Sequence, residues 1–185
     1  MEPLTARAGM EPTKYSVIET LRDGRSVEIR ALKPEDRAAL LAAVDRTSAE
    51  SLYRRFFAPR RHFTERETAY FLNVDFKGHV ALVAVVDEGG QLAIGGGGRY
   101  IEIEPDMAEV AFMVVDDYQG LGIGSFLMRH LAIIGRNAGL RQLTAEVLVE
   151  NAGMLKVFET SGYRVRTTVE SQVVHVELDL APSAS

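Results

Sequence analysis

The sequence predicts a single α/β domain in which antiparallel hairpins and strand–helix units build one central sheet flanked by helices. Three observations point there. The 185 residues, 46% of them hydrophobic, match the size of one domain and suffice for a sizeable core. Apolar residues recur at strand spacing in some segments and at helix spacing in others, with Gly and Pro between them. An apolar run, Ala108 to Val115, leads through a glycine-rich loop directly into a helical pattern, the strand–loop–helix order of α/β proteins.

The elements follow in order. Val27, Ile29 and Ala31 alternate with Glu28 and Arg30, a strand that ends before Pro34, a favoured first-turn helix residue. From Pro34 to Val44, Leu40, Leu41 and Val44 share a helical face, and a second helix, Ala49 to Phe57, ends near Pro59. Thr64 and Glu67 have the spacing of a capping box and start a third helix that runs to about Leu72. Val80 to Asp87 is a near-continuous apolar run, Glu88-Gly89-Gly90 a turn and Leu92 to Ile103 a second strand, together a hairpin. Gly95 to Gly98 admit a strand kink, the close approach of a ligand backbone, or a bulge with no functional role, and these readings stay open. Ala108 to Val115 is a strand interrupted only by Glu109. After the loop, Leu127, Leu131, Ile134 and Ala138 keep helical spacing until Gly139. Leu143 to Val149 is a strand, Asn151 to Thr160 a helix closed by Gly162, and Tyr163 to Thr168 and Val173 to Leu180 are antiparallel final strands. The domain is expected over 15–180, with flexible ends at 1–14 and 181–185, where periodicity is missing.

Composition excludes several classes of function. A net charge of -5 and a pI near 5.4 leave no basic field for nucleic-acid phosphates. The absence of cysteine rules out disulfides, thiolate metal sites and a cysteine nucleophile, and suits a reducing compartment. With no export signal and no run of eighteen apolar residues, the expected location is the cytoplasm, away from the membrane. His62, His79, His130 and His175 are dispersed without ligand spacing and read as surface residues, so no metal is expected.

The loop Asp116-Asp117-Tyr118-Gln119-Gly120-Leu121-Gly122-Ile123-Gly124-Ser125 joins a buried strand to a helix N-terminus. Glycines there let backbone N–H groups converge on an anion, and the helix end adds partial positive charge, which suits a pyrophosphate. No Lys follows the glycines as in a Walker A loop, and a five-residue polar lead-in departs from a Rossmann turn.

At Gln119-Gly120-Leu121-Gly122-Ile123-Gly124 the sequence resembles the GNAT acyltransferase superfamily, whose signature is Gln/Arg-x-x-Gly-x-Gly/Ala after the fourth strand. Asn151, Met154, Phe158, Gly162 and Tyr163 fit the family's Asn-led helix and its Gly-aromatic end. The resemblance runs from Val27 to Leu180 and is strongest from Glu109 to Tyr163. Ala108 to Val115, and Ser51-Leu52-Tyr53-Arg54-Arg55-Phe56-Phe57, look like the bacterial protein-lysine acetyltransferases and, more distantly, the histone acetyltransferases. The resemblance implies the GNAT fold, a mixed, largely antiparallel sheet splayed between its fourth and fifth strands. It implies acetyl-CoA as co-substrate, transfer to a primary amine and a protein lysine as acceptor. A single domain is expected, without the cyclic-nucleotide-binding or acyl-CoA-synthetase-like domain of some members. The backbone of Val114 and Val115 would pair with pantetheine, and the amides of Gln119, Gly120, Leu121, Gly122, Ile123, Gly124 and Ser125 would bind pyrophosphate.

A lysine amine with pKa about 10.4 is neutral in roughly one molecule in 2,500 at pH 7, so transfer calls for a base. Glu109, a lone carboxylate in an apolar strand, is the candidate, because burial there raises a carboxyl pKa toward the working range. The related enzymes use a glutamate at the matching position; an ion pair with an arginine, or a solvent-facing site, is the structural alternative. Many relatives protonate the leaving thiolate with a Tyr where Phe158 stands here. A thiolate with pKa near 8.5 leaves tolerably unaided, and Tyr118 and Tyr163 are the other hydroxyls on hand. Asn151 has two readings, a partner of pantetheine or water and a helix N-cap. Arg54, Arg55, Arg60 and Arg61, interleaved with Tyr53, Phe56 and Phe57, read either as a solvated helix face or as a site for an acidic patch. Acetylation of a small amine and a CoA-binding regulatory role with little catalysis are the alternative functions. A homodimer joined through Val173 to Leu180 is a further expectation.

Overall fold

The computed structural model describes residues 11–181; the ends expected to be flexible fall mostly outside this range. A turn at Pro12–Lys14 leads into β1 (Ser16–Thr20), an element missing from the sequence reading. β1 is an edge strand whose Ile18 faces solvent, so it shows no apolar alternation. It forms a hairpin with β2 (Ser26–Ala31), where Val27, Ile29 and Ala31 are buried.

Three short helices follow, α1 (Arg37–Asp45), α2 (Ala49–Phe56) and α3 (Glu65–Leu72). Buried Asp36 fixes the approach to α1 by accepting from Arg30 at 2.7 and 2.8 Å and from the Lys33 N–H at 2.8 Å. Ser48 caps α2, and Thr64 with Glu67 closes the predicted capping box of α3.

β3 (His79–Asp87), β4 (Leu92–Glu104) and β5 (Met107–Val114) continue the antiparallel meander. The β3–β4 register shifts after Ala84, where Gly95 is the extra residue, which settles one open reading as a bulge. The glycines also let β4 pack closely on its own neighbours: a Cβ on Gly96 would lie 2.9 Å from the Met113 carbonyl oxygen, and one on Gly98 would lie 2.7 Å from the Phe112 ring.

After β5 the chain passes through α4 (Ile123–Asn137), whose Leu127, Met128, Leu131 and Ile134 pack on the sheet. β6 (Gln142–Leu148) pairs in parallel with β5 only from Met107 to Glu109. Beyond that the two strands part, the splay expected between the fourth and fifth strands, which become β5 and β6 once β1 is counted. Then come α5 (Ala152–Glu159), β7 (Arg164–Glu170) and β8 (Val173–Asp179). The order across the sheet is β1-β2-β3-β4-β5-β6-β8-β7.

Because β8 is paired with β6 on one side and β7 on the other, Val173 to Leu180 has no free edge to offer a second copy. The dimer expected through this strand is therefore excluded. His130 is likewise no surface residue: it is fully enclosed. Among the described residues no helix is long and apolar enough to cross a membrane.

Candidate active site

A cleft of about 510 Å³ opens where β5 and β6 part. Its geometry follows from the pairing: Glu109, opposite Thr144, is the last residue of β5 paired with β6, and from Val110 onward the two strands separate while β5 stays paired with β4. β6 lines the far wall with Ala145, Glu146 and Val147, α5 with Met154, Val157 and Phe158, and α2 with Ser51, Arg54 and Arg55.

The glycine loop closes one end. Gly120 and Gly122 take φ of 77° and 103°, a left-handed backbone that costs a residue with a side chain about 1–2 kcal/mol. Gly122 caps α4 without any side-chain bond, so the first N–H groups of the helix, from Ile123 to Ser125, have no side-chain acceptor. Together with the helix dipole they make an anion-binding end.

Neighbouring elements hold this loop in place. The buried Tyr118 hydroxyl donates to Glu88, which Arg46 also binds, and the Arg25 guanidinium lies 5.2 Å from the centre of the Tyr118 ring. The hydrogen bonds from Arg46 and Tyr118 hold the Glu88 carboxyl below its ordinary pKa. Gln119 Nε2 donates to the Val114 carbonyl at 3.1 Å and to Ser51 Oγ at 3.0 Å, and the Ser48 N–H donates to Asp116 at 3.0 Å. From the β1–β2 turn, Arg22 donates its N–H to the Leu121 carbonyl at 3.1 Å and its Nη1 to the Gly120 carbonyl at 2.9 Å.

The structure gathers most of the predicted residues in this cleft. Glu109 and Val114 enter from β5, and Asn151 and Phe158 from the far side. Gln119, Gly120, Gly122, Ile123, Gly124 and Ser125 come from the loop. Two residues do not line it. Val115 is wholly buried, its N–H donated to the Gly95 carbonyl at 2.9 Å and its carbonyl accepting from Tyr118 at 2.8 Å, so it has no free backbone group for pantetheine. Leu121 packs against the core.

Glu109 departs from the expectation in another way. Its side chain is exposed to the cleft, so burial is not what fits it for accepting a proton. Asn151 caps α5, its side chain accepting from the Met154 N–H at 3.2 Å, and also faces the cleft. Phe158 is buried against Phe112, with ring centres 6.0 Å apart. Tyr118 has its hydroxyl engaged with Glu88, and Tyr163 lies outside the lining. Among the described residues no group of His, Asp and Glu is arranged to hold a metal ion.

Sequence reasoning missed Arg22 and Glu146. Nothing local marks either, since Arg22 meets the loop across 98 residues of chain and Glu146 belongs to the cleft only because β6 diverges.

Residues 42–163 match the acetyltransferase (GNAT) family. The chain belongs to the GNAT acetyltransferase family. An acetyltransferase of Pseudomonas aeruginosa is 35% identical over 138 residues, 74% of each chain. The acetyltransferase Pat of Mycolicibacterium smegmatis is 35% identical over 164 residues, 88% of this chain and 48% of that one; this chain thus spans about half of that relative's length. The crystal structure of the GNAT domain of S. lividans PAT superposes with a TM-score of 0.80 at 35% identity, covering 89% of this chain and 96% of that one. At 19% identity a Salmonella typhimurium acetyltransferase, solved with its cofactor acetyl-CoA, shares the fold with a TM-score of 0.67 over 86% of this chain and 96% of that one.

Proposed function

We propose that the acetyltransferase moves the acetyl group of acetyl-CoA to a lysine ε-amine of a protein, in the cytoplasm, with Glu109 as the proton acceptor. The observation that carries this reading is the position of Glu109. It stands at the last residue pair before β5 and β6 separate, exposed to the cleft, while the uncapped amides of α4 close the cleft's other end. The amides of Gly122 to Ser125 would hold the pyrophosphate and the backbone of Val114 the pantetheine arm. When bound, the co-substrate supplies an activated acetyl thioester. Glu109 takes the proton of the incoming ammonium directly or through one water, which leaves the amine free to attack. The lysine acceptor rests on the similarity to Pat.

The test is Glu109→Gln, which keeps the shape and removes the basicity. Acetyl-CoA affinity is expected to stay within a few-fold while thiol release with lysine acceptors at pH 7 falls by roughly 10²–10⁴. Raising the pH restores part of the rate, because more amine is then neutral. Equal rates for variant and parent from pH 6 to 9 would remove Glu109 from the mechanism.

One observation favours a second reading. Among the described residues no free tyrosine hydroxyl lines the cleft near the α5 wall, where Phe158 packs into the core. Binding of acetyl-CoA with no acceptor-dependent thiol release would identify a CoA-binding regulator instead.

A further inference from the structure

The wall of the cleft made by α2 carries a guanidinium, that of Arg55, that no side chain among the described residues pairs with. Arg55 has no hydrogen-bond or ion-pair partner among the described residues; its guanidinium lies 4.7 Å from the centre of the Phe56 ring. It is half-buried, and burial pushes its pKa down to about 10, with the charge of Glu109 working the other way. Arg99, on the neighbouring β4, is pushed to about 10 by burial and then by the charge of Arg55, so two guanidinium groups share one poorly solvated region. Arg54 pairs with Glu50 through Nη2 at 2.5 Å, but its Nε–H is buried with no acceptor.

Unmet donors in a partly desolvated wall are unfavourable until an anion arrives. A guanidinium fork fits a carboxylate in bidentate fashion. The same cleft is also lined by two carboxylates, Glu109 on β5 and Glu146 on β6. The loop amides already provide for the phosphates: Ser51 touches Gln119 beside them, and Arg55 stands one helical turn, about 6 Å, further along α2. A cleft that presents both a guanidinium and carboxylates is complementary to a ligand that carries both a carboxylate and an ammonium.

We infer that the amine acceptor bears a carboxylate beside its amine, and that Arg55 receives it while the amine meets Glu109. This rests on the reading of Glu109 as the acetyl-transfer site. A carboxylate of this kind comes either from an acidic residue flanking an acceptor lysine or from a free amino acid, and the assay separates the two.

Thiol release from acetyl-CoA by the full chain is measured with two matched pairs of acceptors. One pair is an N-terminally blocked peptide with Lys flanked by Glu and the same peptide with Gln; the other is free lysine and lysinamide. The wild type is expected to show kcat/KM at least about tenfold higher for the carboxylate-bearing member of one pair, and that pair names the source. Arg55→Gln abolishes the preference with acetyl-CoA affinity unchanged, and Arg55→Glu shifts it toward a Lys-flanked peptide.

The inference is overturned if the wild type acetylates both members of both pairs equally, or if Arg55→Gln keeps the preference. It is also overturned if Arg55→Gln weakens acetyl-CoA binding as much as turnover, since Arg55 would then serve the co-substrate. Should the Gln variant not fold, the wild-type comparison together with Arg55→Lys, which keeps the charge and loses the fork, decides the matter. Tight acetyl-CoA binding with no acetylation of any amine would instead overturn the acetyl-transfer reading beneath it.

Discussion

His130 shows how much one buried side chain contributes to the pH response of this protein. The Tyr15 hydroxyl lies 2.5 Å from its Nδ1 and the Glu19 carboxylate 2.7 Å from its Nε2. A carboxylate only accepts, so Nε2 carries the proton and Nδ1 accepts from Tyr15. Burial pushes the His130 pKa below its ordinary value, with Glu19 opposing, and pushes that of Tyr15 up to about 12. The unfolded chain therefore binds a proton at His130 that the folded chain refuses. This contribution to stability is complete above the ordinary histidine pKa of about 6.5 and is lost as pH falls below it toward the folded value. The expected outcome is a Tm that is level from pH 8 to 7 and declines from about 6.5 to 5, with a shallower decline in His130→Gln despite its lower Tm. Parallel curves would clear His130 of this role. The sequence reading placed it on the surface, although Leu127, His130, Leu131 and Ile134 have the spacing of one helical face. Glu109 was legible as a lone carboxylate in an apolar strand, whereas the choice between burial and a solvent-facing site was not. That depends on where β6 leaves β5, and no residue of β5 records it.

Among the elements, the glycine run of β4 and the glycine loop act through space rather than flexibility alone. The Cβ of Gly96→Ala would sit 2.9 Å from a backbone oxygen of β5 and 3.0 Å from Ile123 of α4, neither of which can turn aside like a surface side chain. The variant is expected to lose about 1–3 kcal/mol, read as a lower urea midpoint at unchanged slope. Gly153→Ala in α5, with nothing nearer than 4.0 Å, is expected to be neutral or stabilising by up to ~1 kcal/mol. Equal losses in the two variants would count against close approach as the cause. In the loop, Gly122 has φ of 103°, which a β-branched residue strongly resists. Gly122→Val is therefore expected to weaken acetyl-CoA binding by at least about tenfold while circular dichroism stays native. Unchanged affinity would move the pyrophosphate site elsewhere. Most elements were legible from periodicity and punctuation. β1 was not, because an edge strand with Ile18 in solvent has no apolar face, and the Gly95 bulge became distinct only once its partner strand was in place.

Across the whole molecule, the sheet is two blocks joined by three residue pairs, Met107 with Gln142, Ala108 with Leu143 and Glu109 with Thr144. A ligand filling the gap touches both blocks, so binding adds a bridge that the backbone lacks. At a concentration 100 times its Kd, acetyl-CoA is expected to stabilise the fold by about 2.7 kcal/mol. Amide exchange in β6 and β8 is expected to slow more than in β2 and β3; uniform slowing would mean that the two blocks already open together. The splay itself entered the sequence reading through family resemblance, since residue patterns specify which faces are buried and leave open where two parallel strands stop pairing. The same division orders the birth of the protein. β1 to β5 lie side by side in chain order, so each has its partner available soon after it leaves the ribosome. The glycine loop and α4 appear next, with one wall of the cleft still unmade. β6 acquires its full set of partners only when β8, the final strand, slots in between β6 and β7. The cleft in which we place acetyl-CoA is thus complete only once β8 has been made, and a nascent chain that already displays its whole glycine signature has nothing yet to close around the co-substrate.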